Sequence, residues 1–145
     1  DVINDAISHV SLLSNDKKGS ITTHFEAIQS EILVNQFHMT NVLVNMLENA
    51  LKYSESSPKI DVFTQNTNKN LIIKIMDEGI GISKNAQKQI FNKFYREQKG
   101  NIHDVKGHGL GLAYVKEILD SHHGTVFVES EKGKGSTFTI KLPLI

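Results

Sequence analysis

Cysteine and tryptophan are missing from this 145-residue chain, prolines number only two, and neither sign of charge prevails, since 16 Lys and Arg balance 16 Asp and Glu. Without cysteine no disulfide framework can form, which fits a reducing compartment. Without net charge no overall field draws the chain to nucleic acid or anionic lipid, so we expect no nucleic-acid partner. No apolar run approaches the roughly 20 residues that cross a bilayer, and no signal peptide is visible.

The composition that remains is that of an ordinary globular protein, with 39% hydrophobic and 22% charged residues. The length suits a single domain, residues 1–145, built around one core. The chain starts at Asp1 rather than at Met, which suggests a segment of a longer protein.

Hydrophobic periodicity and turn residues predict helices mixed with strands. The predicted helices are residues 2–13, about His38 to Tyr53, Ser83–Phe91 with Ser83 as N-cap, and Leu110–His123 with Gly124 as the stop. The predicted strands are Ser20–Ala27, Lys59–Thr64, Leu71–Met76, Thr125–Ser130 and Ser136–Leu142, the second and third forming a hairpin. The segment Asn92–His108 is interpreted as a long loop, and loops of that length are usually functional. This mixture favours a two-layer α/β sandwich.

The predicted helix from His38 to Tyr53 has two different faces. On a wheel of about 100° per residue, one face collects four polar residues: Asn45, Glu48, Asn49 and Lys52. The opposite face collects six apolar residues that must pack on a sheet: Met39, Leu43, Met46, Leu47, Ala50 and Leu51. A polar stripe is usually a solvated surface, but asparagine is a mediocre helix former and such surfaces prefer Lys, Glu or Gln. The two asparagines therefore indicate function.

The chemistry of that polar face suits a metal-bound phosphate. An asparagine oxygen is a hard neutral ligand, so Asn49 is a candidate ligand of Mg²⁺. Lys52 could reach a phosphate as a compact point charge. Glu48 could act as a general base or orient water, and an i,i+4 pair with Lys52 explains it equally well.

A carboxylate turn, Asp77-Glu78-Gly79-Ile80-Gly81, follows the predicted strand Leu71–Met76. Such a sequence can form an ordinary turn. An ionised carboxylate only accepts hydrogen bonds, however, so Asp77 could read the exocyclic amine of adenine. Gly79 and Gly81 would let the backbone approach the base closely.

A second glycine cluster, Gly107-His108-Gly109-Leu110-Gly111, precedes a predicted helix, where free N–H groups and the helix dipole favour a phosphate. It is not a Rossmann loop, because the third glycine is misplaced and no strand precedes it, and it is not a Walker loop. We interpret it as a hinged loop that closes over phosphates. Arg96, at the base of this loop, is either a surface charge or a ligand of the terminal phosphate.

Histidines crowd the second half of the chain, but a zinc site is not expected there. The side chains concerned are His103, His108, His122 and His123. Adjacent His122 and His123 point in different directions on a helix, and neither cysteines nor paired histidine spacing is present.

Five motifs in order make the chain resemble the catalytic domain of bacterial sensor histidine kinases. They are the N box at Asn45–Ser54, the G1 box at Asp77–Gly81, the F box at Phe91–Arg96, the G2 box at Gly107–Gly111 and a last glycine box at Gly133–Thr137. The resemblance covers essentially the whole chain, and its N and F boxes separate it from gyrase, Hsp90 and MutL. It implies the Bergerat fold, a mixed sheet of about five strands with three main helices on one face.

The resemblance also implies a role for each motif residue. Asn49 would hold Mg²⁺ on the phosphates of ATP, with support from Asn45, and Lys52 would contact phosphate. Tyr53 would stack beside adenine, Asp77 would accept from its amine, and Thr137 would help close the adenine pocket. The expected catalytic residues are Glu48, Asn49 and Arg96. The other residues expected in the ATP site are Gly79, Gly81, Ile82, Phe94, Tyr95, Gly107, His108, Gly109, Leu110, Gly111 and Leu112.

The implied reaction moves the γ-phosphoryl group of ATP to a histidine. In the family that histidine lies on a preceding helical hairpin, in a His-Glu/Asp-x-x-x-Pro setting, and neither Pro58 nor Pro143 provides that context. We therefore expect a monomeric catalytic domain without its acceptor, dimerisation and sensor parts. Its expected partners are that hairpin and a downstream response regulator. The family also implies a cytoplasmic domain whose parent is anchored in the bacterial inner membrane.

Two alternatives stay open. The first is a non-catalytic, ATP-responsive or scaffolding domain of the same fold, against which the intact Asn49, Asp77 and loop glycines argue. The second is a serine kinase of the anti-sigma type. An acceptor hairpin directly upstream of Asp1 in the full gene would decide against it.

Overall fold

The computed structural model describes residues 2–16, 19–27, 35–52, 58–92 and 111–144. The helices of this part of the chain are α1 (Val2–Asp16), α2 (Gln36–Lys52), α3 (Lys84–Gln87) and α4 (Gly111–Ser121). Its strands are β1 (Ser20–Phe25), β2 (Lys59–Asn66), β3 (Asn70–Asp77), β4 (Thr125–Glu131) and β5 (Gly135–Pro143).

The five strands form one mixed sheet in the order β1-β2-β3-β5-β4. Strand β1 runs parallel to β2, and every other pairing is antiparallel. The predicted hairpin of β2 and β3 is confirmed, and β4 and β5 form a second hairpin. Because β3 pairs with β5, the end of β3 at Asp77 lies beside the start of β5 at Ser136.

The long helices α1, α2 and α4 share one face of the sheet with the core between the layers. Along β3 the side chains of Leu71, Ile73 and Ile75 are buried, while the residues between them face the other way. The apolar stripe predicted on α2 is buried throughout, with Leu47 and Leu51 fully inaccessible to solvent. Each such side chain contributes about 1.5–3 kcal/mol to folding. The predicted two-layer α/β sandwich with three main helices on one face is confirmed.

Helix α2 starts two residues earlier than predicted because a cap was missed in the sequence. The side-chain oxygen of Asn35 accepts a hydrogen bond from the backbone N–H of His38 at 3.0 Å. This is the ordinary N-cap arrangement, in which a side chain replaces a missing helical acceptor. Asn35 also donates its own backbone N–H to Nε2 of His122 at 3.1 Å, which ties the start of α2 to the end of α4.

Helix α3 is shorter than the predicted Ser83–Phe91. Ser83 is its N-cap as predicted, since its hydroxyl accepts from the N–H of Ala86 at 3.2 Å. After Gln87 the chain continues as turns, and these bring Phe91 edge-on to Phe138 of β5, with ring centroids 6.4 Å apart. The predicted strand Ser20–Ala27 likewise ends early, at Phe25.

The residue in the left-handed conformation that ends helix α4 is His123, not Gly124 as predicted. His123 has a positive φ of 61°, and its N–H donates to Asp120 O at 3.2 Å. The N–H of Gly124 donates to Leu119 O at 2.8 Å, which completes a Schellman motif. Gly124 is required for space instead, because a Cβ there would meet Lys141 O at 2.7 Å.

Most of the predicted loop Asn92–His108 lies outside the described residues. Among the helices that are described, none combines the length and the apolar character needed to span a membrane.

Candidate functional site

The polar face of α2 forms one side of the candidate site. Asn45, Glu48 and Asn49 are half-buried, whereas Met46 and Leu47 between them are buried in the core. The side-chain N–H of Asn45 donates to Asn41 O at 2.9 Å, which fixes the direction of its amide. Asn49 makes no side-chain hydrogen bond to any described residue, so its amide is available to a ligand.

The start of α4 meets this face of α2. A Cβ built on Gly111 would lie 3.2 Å from the side-chain oxygen of Asn45, so only glycine fits easily at this crossing. Leu112, the next residue, is partly buried against the core. The first turn of α4 therefore places the positive end of its dipole beside the side-chain amide of Asn45. This arrangement suits an anion with a bound metal ion.

Asp77 is the last residue of β3 and lies at the second wall of the site. Its carboxylate accepts from the N–H of Gly79 at 2.9 Å and from the backbone N–H of Ser136. Burial raises the pKa of Asp77 above its ordinary value, and the two hydrogen bonds offset only part of that rise. A carboxylate that has lost water but keeps lone pairs free is a strong acceptor for a ligand N–H.

The carboxylate turn, residues 77–81, interlocks with the turn of the last hairpin, residues 131–135. Gly81 has a φ of 75°, and a Cβ there would meet Glu131 O at 2.2 Å. Gly135 has a φ of 97°, and its Cβ would meet Asp77 O at 2.1 Å. The N–H of Gly133 donates to Ile80 O at 2.7 Å. Two glycines thus allow the two turns to touch backbone to backbone.

Thr137 is not the strand partner of Asp77, and its predicted place in the adenine pocket stays a prediction. The register pairs Thr137 with Met76 and pairs Ser136 with Asp77. Ser136 is buried, whereas Thr137 projects from the opposite face of the sheet because neighbouring strand residues alternate. The missed residue is therefore Ser136, and the only signal for it in the sequence is its place after Gly135.

The remaining expected site residues lie outside the described part of the chain, so their predicted roles stay predictions. They are the side chain of Lys52 and the whole of Tyr53, Phe94, Tyr95, Arg96, Gly107, His108, Gly109 and Leu110. Among the described residues, no group of three or more His, Asp or Glu side chains is placed to hold a metal ion. The described groups that could hold a metal ion are instead amide oxygens, which Mg²⁺ would accept as ligands.

Comparison with known sequences gives the following matches. Residues 34–145 match the family described as "Histidine kinase-, DNA gyrase B-, and HSP90-like ATPase". The chain is 44% identical over 147 residues to the sensor protein RprX of Bacteroides fragilis, with 100% of the chain and 28% of RprX covered. It is 37% identical over 117 residues to the sensor protein CiaH of Streptococcus pneumoniae, with 81% of the chain and 26% of CiaH covered. The chain therefore spans little more than a quarter of the length of these relatives.

Among solved structures, the catalytic domain of histidine kinase ThkA superposes with a TM-score of 0.84 at 19% identity, covering 98% of this chain and 91% of that one. The mycobacterial sensor histidine kinase MprB gives a TM-score of 0.83 at 22% identity, with the same two coverages of 98% and 91%. At such identities the likeness concerns the fold.

Proposed function

Because the chain belongs to the family of histidine kinase-, DNA gyrase B- and HSP90-like ATPases, we propose that it is the ATP-binding catalytic domain of a sensor histidine kinase. It positions Mg-ATP so that the γ-phosphoryl group is transferred to a histidine on a separate helical hairpin. The observation that carries this proposal is the half-buried carboxylate of Asp77, held by the backbone N–H groups of Gly79 and Ser136.

Asp77 accepts a hydrogen bond from the exocyclic amine of adenine. Its partial desolvation supports this role, because an acceptor that has already lost water binds an N–H donor at lower cost. Gly79, Gly81 and Ile82, which follow Asp77 in the chain, are assigned to the same wall on the motif. Tyr53 is assigned a place beside adenine, where it would stack, on the motif alone.

Asn49 and Asn45 hold the phosphate end of the nucleotide. Asn49 would hold Mg²⁺, which would supply positive charge to neutralise the phosphates. Gly111 and Leu112 open α4, whose N–H groups face the phosphates. The residues of this end that are assigned on the motifs alone are Lys52, Phe94, Tyr95, Arg96, Gly107, His108, Gly109 and Leu110.

The transfer step needs positioning and charge more than covalent chemistry from the protein. A ring nitrogen of the acceptor histidine forms a bond to the γ-phosphorus while the bond to the bridging oxygen breaks and ADP leaves. Glu48, half-buried one residue before Asn49, orients the attacking imidazole or takes its proton. Arg96 stabilises the charge on the terminal phosphate.

The wider setting is inferred from the relatives. A neighbour of this fold, ThkA, has been solved in complex with the response regulator protein TrrA, at a TM-score of 0.81 and 16% identity. We infer that a response regulator and the histidine-bearing hairpin are partners of the parent protein. We also infer that this domain is monomeric by itself, and that it lies in the cytoplasm as part of a parent protein anchored in the bacterial inner membrane.

The test is calorimetric titration of the chain with a non-hydrolysable ATP analogue, with and without Mg²⁺. We expect one saturable site that Mg²⁺ strengthens, and a loss of affinity of about 10- to 100-fold in Asp77→Asn, because a hydrogen bond to a charged group is lost. Asp120→Asn is the matched control, since Asp120 is exposed and paired with Lys116 at 3.3 Å. It should bind as the wild type does. Equal affinity of Asp77→Asn and wild type would refute the assignment of the adenine wall.

A further inference from the structure

Both backbone groups of Ile82, the residue that follows the carboxylate turn, are held by side chains from other elements. Its N–H donates to the hydroxyl of Ser130 on β4 at 2.8 Å. Its C=O accepts from the side-chain amide of Gln87 on α3 at 2.7 Å. A loop residue held on both sides in this way cannot rotate its peptide planes without breaking one of the two bonds.

Gln87 joins three segments through one nitrogen. Besides Ile82 O, its Nε2 donates to Ser130 O at 3.0 Å, so both of its amide hydrogens are used. Because Nε2 of Gln87 lies between two carbonyl oxygens, the group at this position must be a hydrogen-bond donor and not an acceptor. An ionised glutamate of the same size would place a third acceptor there and repel both carbonyls.

The hydroxyl of Ser130 also uses its hydrogen and its lone pairs in hydrogen bonds. It donates its single hydrogen to Gly135 O at 2.8 Å and accepts from Ile82. The hydroxyl of Ser136 lies 2.8 Å from it, so in this pair Ser136 is the donor. Once its hydrogen points at Ser130, Ser136 has only lone pairs left to offer.

We propose that Ser130 and Gln87 are positioning residues that set the selectivity of the candidate site for a 6-amino purine over a 6-oxo purine. This inference rests on the proposed function, because it takes the Asp77 wall as the base-binding wall. Ser130 turns the hydroxyl beside Asp77 into an acceptor, and Gln87 holds Ile82 and Ser130 in register. The wall then presents a carboxylate and hydroxyl lone pairs, which match an exocyclic amine and repel a ring carbonyl.

The experiment compares dissociation constants for non-hydrolysable ATP and GTP analogues at 25 °C, with thermal melting of each variant in parallel. Selectivity is the dissociation constant of the GTP analogue divided by that of the ATP analogue. In Ser130→Ala and in Gln87→Glu we expect this ratio to fall about tenfold, the size expected for one lost hydrogen bond. The matched controls are Ser121→Ala and Gln89→Glu. Ser121 and Gln89 are exposed, and Ser121 bonds only within the end of α4 among the described residues. Both controls should keep the ratio of the wild type.

Unchanged selectivity in Ser130→Ala and Gln87→Glu, together with lowered melting temperatures, would mean a purely structural role and overturn the inference. If the wild type binds and Asp77→Asn does not, that result leaves the proposed function intact. A wild type that binds neither analogue would overturn both.

A second measurement needs no variant and no nucleotide. Amide hydrogen exchange of the free chain should show slow exchange at Ile82, because its N–H is donated to Ser130. Exchange at Ile82 as fast as that of an unstructured peptide would contradict the bond on which the inference depends, even where a variant fails to fold.

Discussion

Thr139 carries a hydroxyl that has no hydrogen-bond partner among the described residues, although the residue is only 2% exposed. It lies in the middle of β5, between Lys74 of β3 and Phe127 of β4. An unpaired buried hydroxyl costs free energy because it has given up water without replacement. Valine has nearly the same shape and a high preference for strands.

We therefore expect Thr139→Val to raise the free energy of unfolding by about 1 kcal/mol. Urea denaturation of the two proteins measures the change. Thr125→Val is the control, because Thr125 is an exposed threonine on β4 and should shift the midpoint little. A destabilised Thr139→Val would show that the hydroxyl has a partner outside the described residues.

Single residues also mark the limit of what the sequence could predict about the site. The wheel of α2 identified Asn45 and Asn49, and the end of an apolar strand identified Asp77, because both patterns are local. Ser136 was missed because a shift of one residue in a strand moves every side chain to the other face. Ser130 and Gln87 were missed because the atoms that they hold belong to segments 43 and 48 positions away in the chain.

At the scale of elements, the last hairpin shows why two nearby glycines are not equivalent. Gly133 and Gly135 both have positive φ, of 87° and 97°. A Cβ on Gly133 would meet nothing within 4 Å, whereas a Cβ on Gly135 would meet Asp77 O at 2.1 Å. The first glycine only eases the turn, and the second also allows two strands to meet.

Gly133→Ala should cost about 1 kcal/mol, the ordinary penalty for a left-handed residue with a side chain. Gly135→Ala should cost clearly more, on the order of 3 kcal/mol or above, because the backbone at Asp77 must also move. Chemical denaturation of both variants provides the comparison. Equal losses of stability would contradict the close approach of Gly135 to Asp77.

Elements as wholes were easier to predict than their ends. The apolar periods of α2, β2 and β3 gave the right type and nearly the right bounds, because burial of one face decides both. The end of α4 was wrong because His123 adopts the left-handed conformation that Gly124 was expected to take. The length of α3 was wrong because packing of Phe91 on Phe138 replaces further helical turns. Such tertiary contacts leave no periodic signal.

For the whole molecule, the candidate site and the stability of the fold oppose each other at Asp77. Its pKa is raised by burial. A group with a raised folded-state pKa contributes stability below its unfolded pKa and loses that contribution as pH rises through the folded one. At neutral pH the charge that would bind a ligand is therefore a cost to the free chain.

We expect the stability of the wild type relative to Asp77→Asn to fall as pH rises from 3.8, the ordinary value for this group, through its raised pKa, and then to stay level. Taking the difference between the two proteins removes the effect of the other carboxyl groups. Urea denaturation at a series of pH values from about 3 to 7 measures it. A difference that grows with pH would mean that hydrogen bonds outweigh burial at Asp77.

Asp77 and Ser136 face each other across the boundary between β3 and β5, although about 60 residues separate them along the chain. The β2–β3 and β4–β5 hairpins need only short loop closures, whereas joining them must close this long one, which slows folding. We expect both hairpins to form early and the wall between them to appear late. A partly folded chain with two intact hairpins would then not yet bind nucleotide. The rate at which nucleotide binding returns during refolding would therefore measure the rate of the last folding step.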